Sequence, residues 1–187
     1  EMRRLMFGDH PYSRSASGEL EDVDKIKAED LKTWWSKNLR PDNSVLYFGG
    51  DIAPDTAFKF AEKFLGAWKV DGKFQPPAVA KIPEKKKTHI YIIDQPGSTQ
   101  SQIRVGHLGI TRRDPGYFPS RVLGDIFGGS FNSRLNKAIR VEKGLTYGAG
   151  GGFMPSRFAG TFRANTFTKT ESTAEAVQTI LDEIKKI

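Results

Sequence analysis

Arg140 and Tyr147 are the pair of side chains in this sequence best suited to chemistry, because a guanidinium and a phenol can both donate hydrogen bonds to one carbonyl oxygen. They lie in the string Gly128-Gly-Ser-Phe-Asn-Ser-Arg-Leu-Asn-Lys-Ala-Ile-Arg-Val-Glu-Lys-Gly-Leu-Thr-Tyr-Gly148. The string reads as a glycine turn, a helix with Leu135, Ala138 and Ile139 on one face, a glycine break and then a strand. That reading places Arg140 in the last helical turn and Tyr147 in the following strand. On the residues alone a plainer account stands beside it: Arg140 as a cation at a helix C-terminus and Tyr147 as a half-buried strand aromatic. Gly128, Gly129 and Ser130 likewise fit two roles, contact with a bound chain or a helix-entry turn with Ser130 near the cap.

Other candidates are weaker. His10, His89 and His107 are isolated, no carboxylate stands at ligand spacing from any of them, and there are no cysteines. No metal site is expected in this segment. His107 falls in alternation with Ile103 and Val105, which predicts a hydrogen-bonded structural histidine. Gly148 to Gly152 resembles a phosphate cradle only superficially, since no Lys-Ser or Lys-Thr follows. A strand approached closely by other backbone is expected there.

Periodicity outlines the elements that position these residues. Helices are expected over roughly Lys27–Asn38, with Leu31, Trp34 and Trp35 on the inner face, and over Pro54–Trp68, with Phe60, Phe64 and Leu65 facing inward. Strands are expected at Ser44–Asp51, Thr88–Asp94, Ser101–Ile110, Tyr147–Phe153 and Arg157–Phe167. A helix over Gly116–Phe127 leads into the glycine turn, and a last helix opens at Ser172 and carries Val177, Ile180, Leu181 and Ile184. Residues 70–87, with Pro76, Pro77, Pro83 and Lys85-Lys86-Lys87, read as a linker between halves 1–69 and 88–187, each expected to hold its own apolar cluster. Strands and helices mix without strict alternation, so the fold class is α+β, with helices packed on antiparallel-rich sheets.

The 187 residues are 37% hydrophobic, enough for one compact domain or two partial ones and too apolar for a disordered tail. No apolar run is long enough to span a membrane as a helix. The net charge of +7 is spread along the chain without a nucleic-acid-binding motif, so no nucleic-acid partner is expected; a basic nucleic-acid-binding module is the remote alternative. The absence of cysteine fits a cytoplasm or a bacterial periplasm. The first and last residues both read as helix interior, which predicts a segment of a longer chain.

As a whole, the sequence resembles the M16 (pitrilysin/insulinase-like) zinc metallopeptidases. The resemblance rests on His10-Pro11-Tyr12, Leu39-Arg-Pro-Asp-Asn-Ser-Val, Phe48-Gly-Gly-Asp and Phe64-Leu-Gly-Ala-Trp, and above all on the glycine–serine, Ser-Arg-Leu, Arg and Tyr order after Gly128. It implies the end of a first α+β repeat in residues 1–69 and the start of a second in residues 88–187, together part of a clamshell that encloses extended peptides. The family's inverted zinc motif, His-x-x-Glu-His with a later glutamate, is absent. The resemblance therefore implies zinc in the complete enzyme or its partner, and peptide hydrolysis only there. It further implies that Arg140 and Tyr147, with six residues between them, reach the scissile peptide and either stabilise its oxyanion or position it. Gly128-Gly129-Ser130 matches the start of a glycine-rich loop that guides substrate in some non-catalytic members. The implied partners are a peptide, the remainder of the chain and a homologous subunit in a homo- or heterodimer. The alternative within the family is a non-catalytic partner or structural subunit.

Overall fold

The computed structural model describes all residues from Glu1 to Ile187. Three strands, β1 (Gln100–Gly109), β2 (Ala149–Met154) and β3 (Gly160–Lys169), form an antiparallel sheet in the order β1-β3-β2. The long β1–β3 register runs from Gln100 opposite Lys169 to Gly109 opposite Gly160, and Phe153 pairs with Phe162 between β2 and β3. Strict burial alternation in β3 follows from the two-residue side-chain period, with Phe162, Ala164, Thr166 and Thr168 inward and Asn165, Phe167 and Lys169 outward. Helices and one antiparallel sheet confirm the α+β class.

Seven helical segments surround or precede this sheet: α1 (Met2–Phe7), α2 (Leu20–Val23), α3 (Ala28–Asn38), α4 (Pro54–Leu65), α5 (Tyr117–Gly124), α6 (Arg134–Asn136) and α7 (Thr173–Lys185). Helix α5 runs into a widened π-type turn, Asp125–Gly129, and α6 into a second, Lys137–Glu142. The core lies on one face of the sheet. Ile103, Phe162 and Ala164 meet Phe127, Leu135, Ile139, Ala176 and Ile180, all nearly or fully excluded from solvent. At roughly 1.5–3 kcal/mol per large apolar side chain, this cluster is the main source of stability.

Compactness divides the chain at different places from composition. One unit joins Glu1–Ser13 to Lys81–Ile187, and Arg14–Ala80 forms the other. The N-terminal residues, grouped by the sequence reading with the first half, belong with the sheet for a visible reason. Tyr12 packs edge-on against both Phe7 and His10, and His10 and Tyr12 also pack on Phe158. Pro83 lies beside Gly8.

The second unit departs from expectation. The Ser44–Asp51 segment forms no strand, and Val45, Leu46, Tyr47 and Phe48 are exposed. Helices α3 and α4 form where the periodicity put them, but Leu31, Trp34, Trp35, Phe60, Phe64 and Leu65 face solvent. Only Ala57 among its apolar residues is buried, so the single hydrophobic cluster of the chain lies in the other unit. Periodicity reports that a face is apolar; it does not report what lies against it. Order in this unit comes from a polar clamp. Arg40, 7% exposed, donates to both carboxylate oxygens of Asp42 and to the Asp71 and Gly72 carbonyls, and the Phe74 N–H donates to Asp42 Oδ2.

In the sheet unit, Thr88–Asp94 also forms no strand, leaving Ile90, Ile92 and Ile93 exposed. No helix is long and apolar enough to cross a membrane.

Candidate functional site

The site grows from the Lys137–Glu142 turn. Leu135 and Ile139 are fully buried under it, which fixes its rotation and brings Arg140 to the surface, half-buried, with its guanidinium 4.3 Å from the Phe131 ring centre. Gly144 ends the turn at φ 64°, a left-handed conformation suited to glycine, and its N–H donates to the Arg140 carbonyl at 3.1 Å. The chain then reverses into Leu145–Gly148, which carries Tyr147. This residue precedes β2 instead of lying in it, and it is 83% exposed. No hydrogen bond or ring contact joins Arg140 to Tyr147. They stand at the two ends of one connection, and only Arg140 has an aromatic neighbour.

That connection is held by side chains that sequence reasoning passed over. Asn136, 3% exposed, donates to the Phe131 carbonyl at 2.5 Å and accepts from the Ala149 N–H at 3.1 Å. Thr166 and Thr168, on the buried face of β3, donate to the carbonyls of Gly148 at 3.0 Å and Leu145 at 2.8 Å. Thr146 Oγ1 bonds both the N–H and the carbonyl of Gly148. The available signal was two threonines at core positions of a strand, where an apolar residue is the default and a polar one needs a partner. The result is an exposed phenol on a loop whose backbone has little freedom, the arrangement expected of a positioned donor.

The three glycine-turn residues separate. Gly128 is buried and its backbone presses on β2, where a methyl group would meet Gly151 N at 2.4 Å; Gly129 and Ser130 are exposed. Phe127 lies against Gly151, and Gly124 approaches Gly152. Close backbone approach thus explains the glycines of β2, as expected. π-Type turns are uncommon and concentrate at functional sites. The two here carry Gly128 and Arg140.

The three histidines do not converge. His10 is buried among Phe7, Tyr12 and Phe158 and accepts the Tyr12 N–H at Nδ1; His89 stacks on Tyr91; His107 stacks on Phe162, with Nδ1 2.7 Å from the Leu108 carbonyl oxygen. No three His, Asp or Glu side chains gather as metal ligands, so the residues present do not fit a zinc ion.

Residues 25–187 match the family model of the peptidase M16 inactive domain. The chain belongs to the M16 family and carries its C-terminal, inactive-domain region. It is 30% identical to a probable inactive metalloprotease, YmfF, of Bacillus subtilis over 153 residues, 76% of this chain and 33% of that protein. It is 26% identical over 193 residues to a non-peptidase homolog, YmxG, of Helicobacter pylori, covering 99% of this chain and 43% of that one. The crystal structure of a peptidase M16 inactive domain from Pseudomonas fluorescens superimposes with a TM-score of 0.83 at 30% identity, over 99% of this chain and 44% of that chain. The chain thus spans less than half the length of these relatives.

Proposed function

We propose that this M16 segment binds extended peptides and presents Arg140 and Tyr147 to a zinc site carried elsewhere, in the rest of its chain or in a partner subunit. Residues 1–69 would end one repeat and residues 88–187 open the next. The supporting observation is the loop itself. Buried Asn136, Thr166 and Thr168 are committed to holding Leu145–Ala149, while Tyr147 at its tip is solvent-exposed and bonded to nothing. A phenol so presented adds nothing to packing, and donating to a peptide carbonyl gives the arrangement a use. Donation that strengthens as the oxygen becomes negative lowers the barrier; equal donation to ground and transition state only holds the peptide.

Kinetics of the complete enzyme, or of the protein with an active partner added, test this. Tyr147→Phe and Arg140→Ala are expected to lower kcat/KM with zinc content and fold unchanged. Oxyanion donation predicts a loss in kcat on the order of 10²–10³-fold. Positioning predicts a raised KM at similar kcat. The two losses are expected to be non-additive, since both donors act on one oxygen. Unchanged kinetics in both variants would sink the proposal.

A second reading has specific support. Two relatives carry names that deny or doubt peptidase activity. Under it the protein is a non-catalytic partner, and the Tyr147 and Arg140 variants would leave the active subunit's turnover untouched while truncation of the chain disrupts assembly.

A further inference from the structure

On the sheet's other face Met2 of α1 lies over Gly106, and the strand residues beyond it face outward. The register puts Gln102 opposite Phe167, and Arg104 opposite Asn165, which in turn faces Gly150. These outward residues are exposed, and with Gly148 and Gly150 they line a shallow depression of about 380 Å³. No Asp or Glu lines it. The Arg104 guanidinium has only a long 3.5 Å contact to the Gln102 amide oxygen and no carboxylate partner. One residue pair further along the same face, Arg163 contacts the Met154 sulfur and also has no carboxylate partner. The face is therefore cationic and polar, with one aromatic ring, Phe167, diagonal to Arg104 across the strands.

We propose that this depression is a subsite for a glutamate side chain of an extended peptide. Arg104 takes the carboxylate through its planar fork, Asn165 supplies an amide donor, and Phe167 packs against the side-chain methylenes. The proposal rests on the peptide-binding reading above and names the substrate class for it. Charge complementarity selects the occupant: two guanidiniums without acidic neighbours leave a positive face that an acidic side chain neutralises. Continuity with the site supports the location, because Gly148, which lines the depression, directly follows Tyr147. A peptide held at Tyr147 places a neighbouring side chain over this face.

Fluorescence polarisation with the full-length protein tests this, using labelled extended peptides identical except for Glu, Gln or Lys at one position that is moved along the chain. At one position the Glu peptide is expected to bind roughly tenfold more tightly than the Gln peptide, as for one charge-assisted hydrogen bond, with Lys weakest and the preference shrinking as salt rises. Arg104→Gln is expected to abolish the Glu preference, weakening the Glu peptide far more than the Gln peptide with the melting temperature unchanged, and Arg104→Lys to restore part of it. Peptides that bind without charge preference would overturn the subsite and leave peptide binding standing. A uniform loss for all peptides in Arg104→Gln would also overturn it. Failure of every peptide to bind would overturn both readings. Displacement of the Glu peptide more readily by a single-stranded oligonucleotide than by unlabelled Glu peptide would assign the face to nucleic acid and overturn the proposal.

Discussion

Gly128→Ala is the substitution whose outcome the structure constrains most tightly. The new methyl carbon would lie 2.4 Å from Gly151 N, 2.8 Å from Gly151 O and 2.9 Å from Gly151 Cα. Comfortable contact needs about 3.5–4.0 Å, so a shift of roughly an ångström or more is required. All three atoms are backbone, in a strand whose register is set by pairing with β3 from Ala149–Thr166 to Met154–Thr161. Relief by rotating a side chain is therefore excluded, and either the π-type turn or β2 must move. Overpacking of this kind costs about 1–3 kcal/mol. For a chain of 187 residues that lowers Tm by roughly 2–12 °C. Two neighbours serve as controls. A methyl on Gly129 would meet Asp125 Oδ1 at 2.6 Å, the mobile end of a side chain, with backbone no closer than the Gly124 carbonyl oxygen at 3.3 Å, and one on Gly148 would meet nothing within 4 Å. Thermal and denaturant melts of the three alanine variants are expected to show a large loss for Gly128 only. Equal melts would show that the turn and strand yield easily, refuting the close-approach argument. A stable Gly128→Ala protein with weakened peptide binding would assign that glycine to substrate.

Asn136→Ala leaves the Ala149 N–H and the Phe131 carbonyl without their partner, at about 1–3 kcal/mol per unsatisfied group; faster hydrogen exchange at Ala149 is the direct readout, and unchanged exchange would refute the tether. Acid is expected to release the Arg40–Asp42 clamp. Hydrogen bonds from Arg40 first, then from the Phe74 N–H, hold the Asp42 carboxyl below its usual value, so its contribution is present above the ordinary carboxylate pKa of about 3.9 and is lost as pH falls through the lowered one. Exchange at the Phe74 amide should accelerate only in that acid range, and Asp42→Asn should remove the pH dependence.

The sheet unit was largely legible because its signals are local and its partners are present. Alternation located β1 and β3, and the helical face Leu135–Ala138–Ile139 is the one that the core covers. Sequence also placed Arg140 on its turn. It set Tyr147 at the first position of a strand that instead begins two residues later, at Ala149, because the side-chain bonds from Thr146 and Thr166 that hold Gly148 outside the ladder have no linear signature. Ser44–Asp51 and Thr88–Asp94 have strand composition, yet a strand exists only when another pairs with it, and none does here. Pairing is a long-range fact that composition cannot report. The Asn136, Thr166 and Thr168 tethers were unread for the same reason, since their acceptors and donors lie 13 to 23 residues away.

The bare Ile90–Ile93 stretch has a consequence for handling and for biosynthesis. Thr-His-Ile-Tyr-Ile-Ile is short, β-prone, without lysine, arginine or carboxylate and free of proline, the composition that stacks into intermolecular cross-β when left unpaired. Three lysines, Lys85 to Lys87, stand immediately before it, where like charges on successive chains repel and act as gatekeepers against such stacking. The lysine run thus does for colloidal behaviour what a pairing strand would do for structure. Neutralising it by acetylation or by Lys→Gln changes should make the chain precipitate more readily with time and concentration, with no change in the fold.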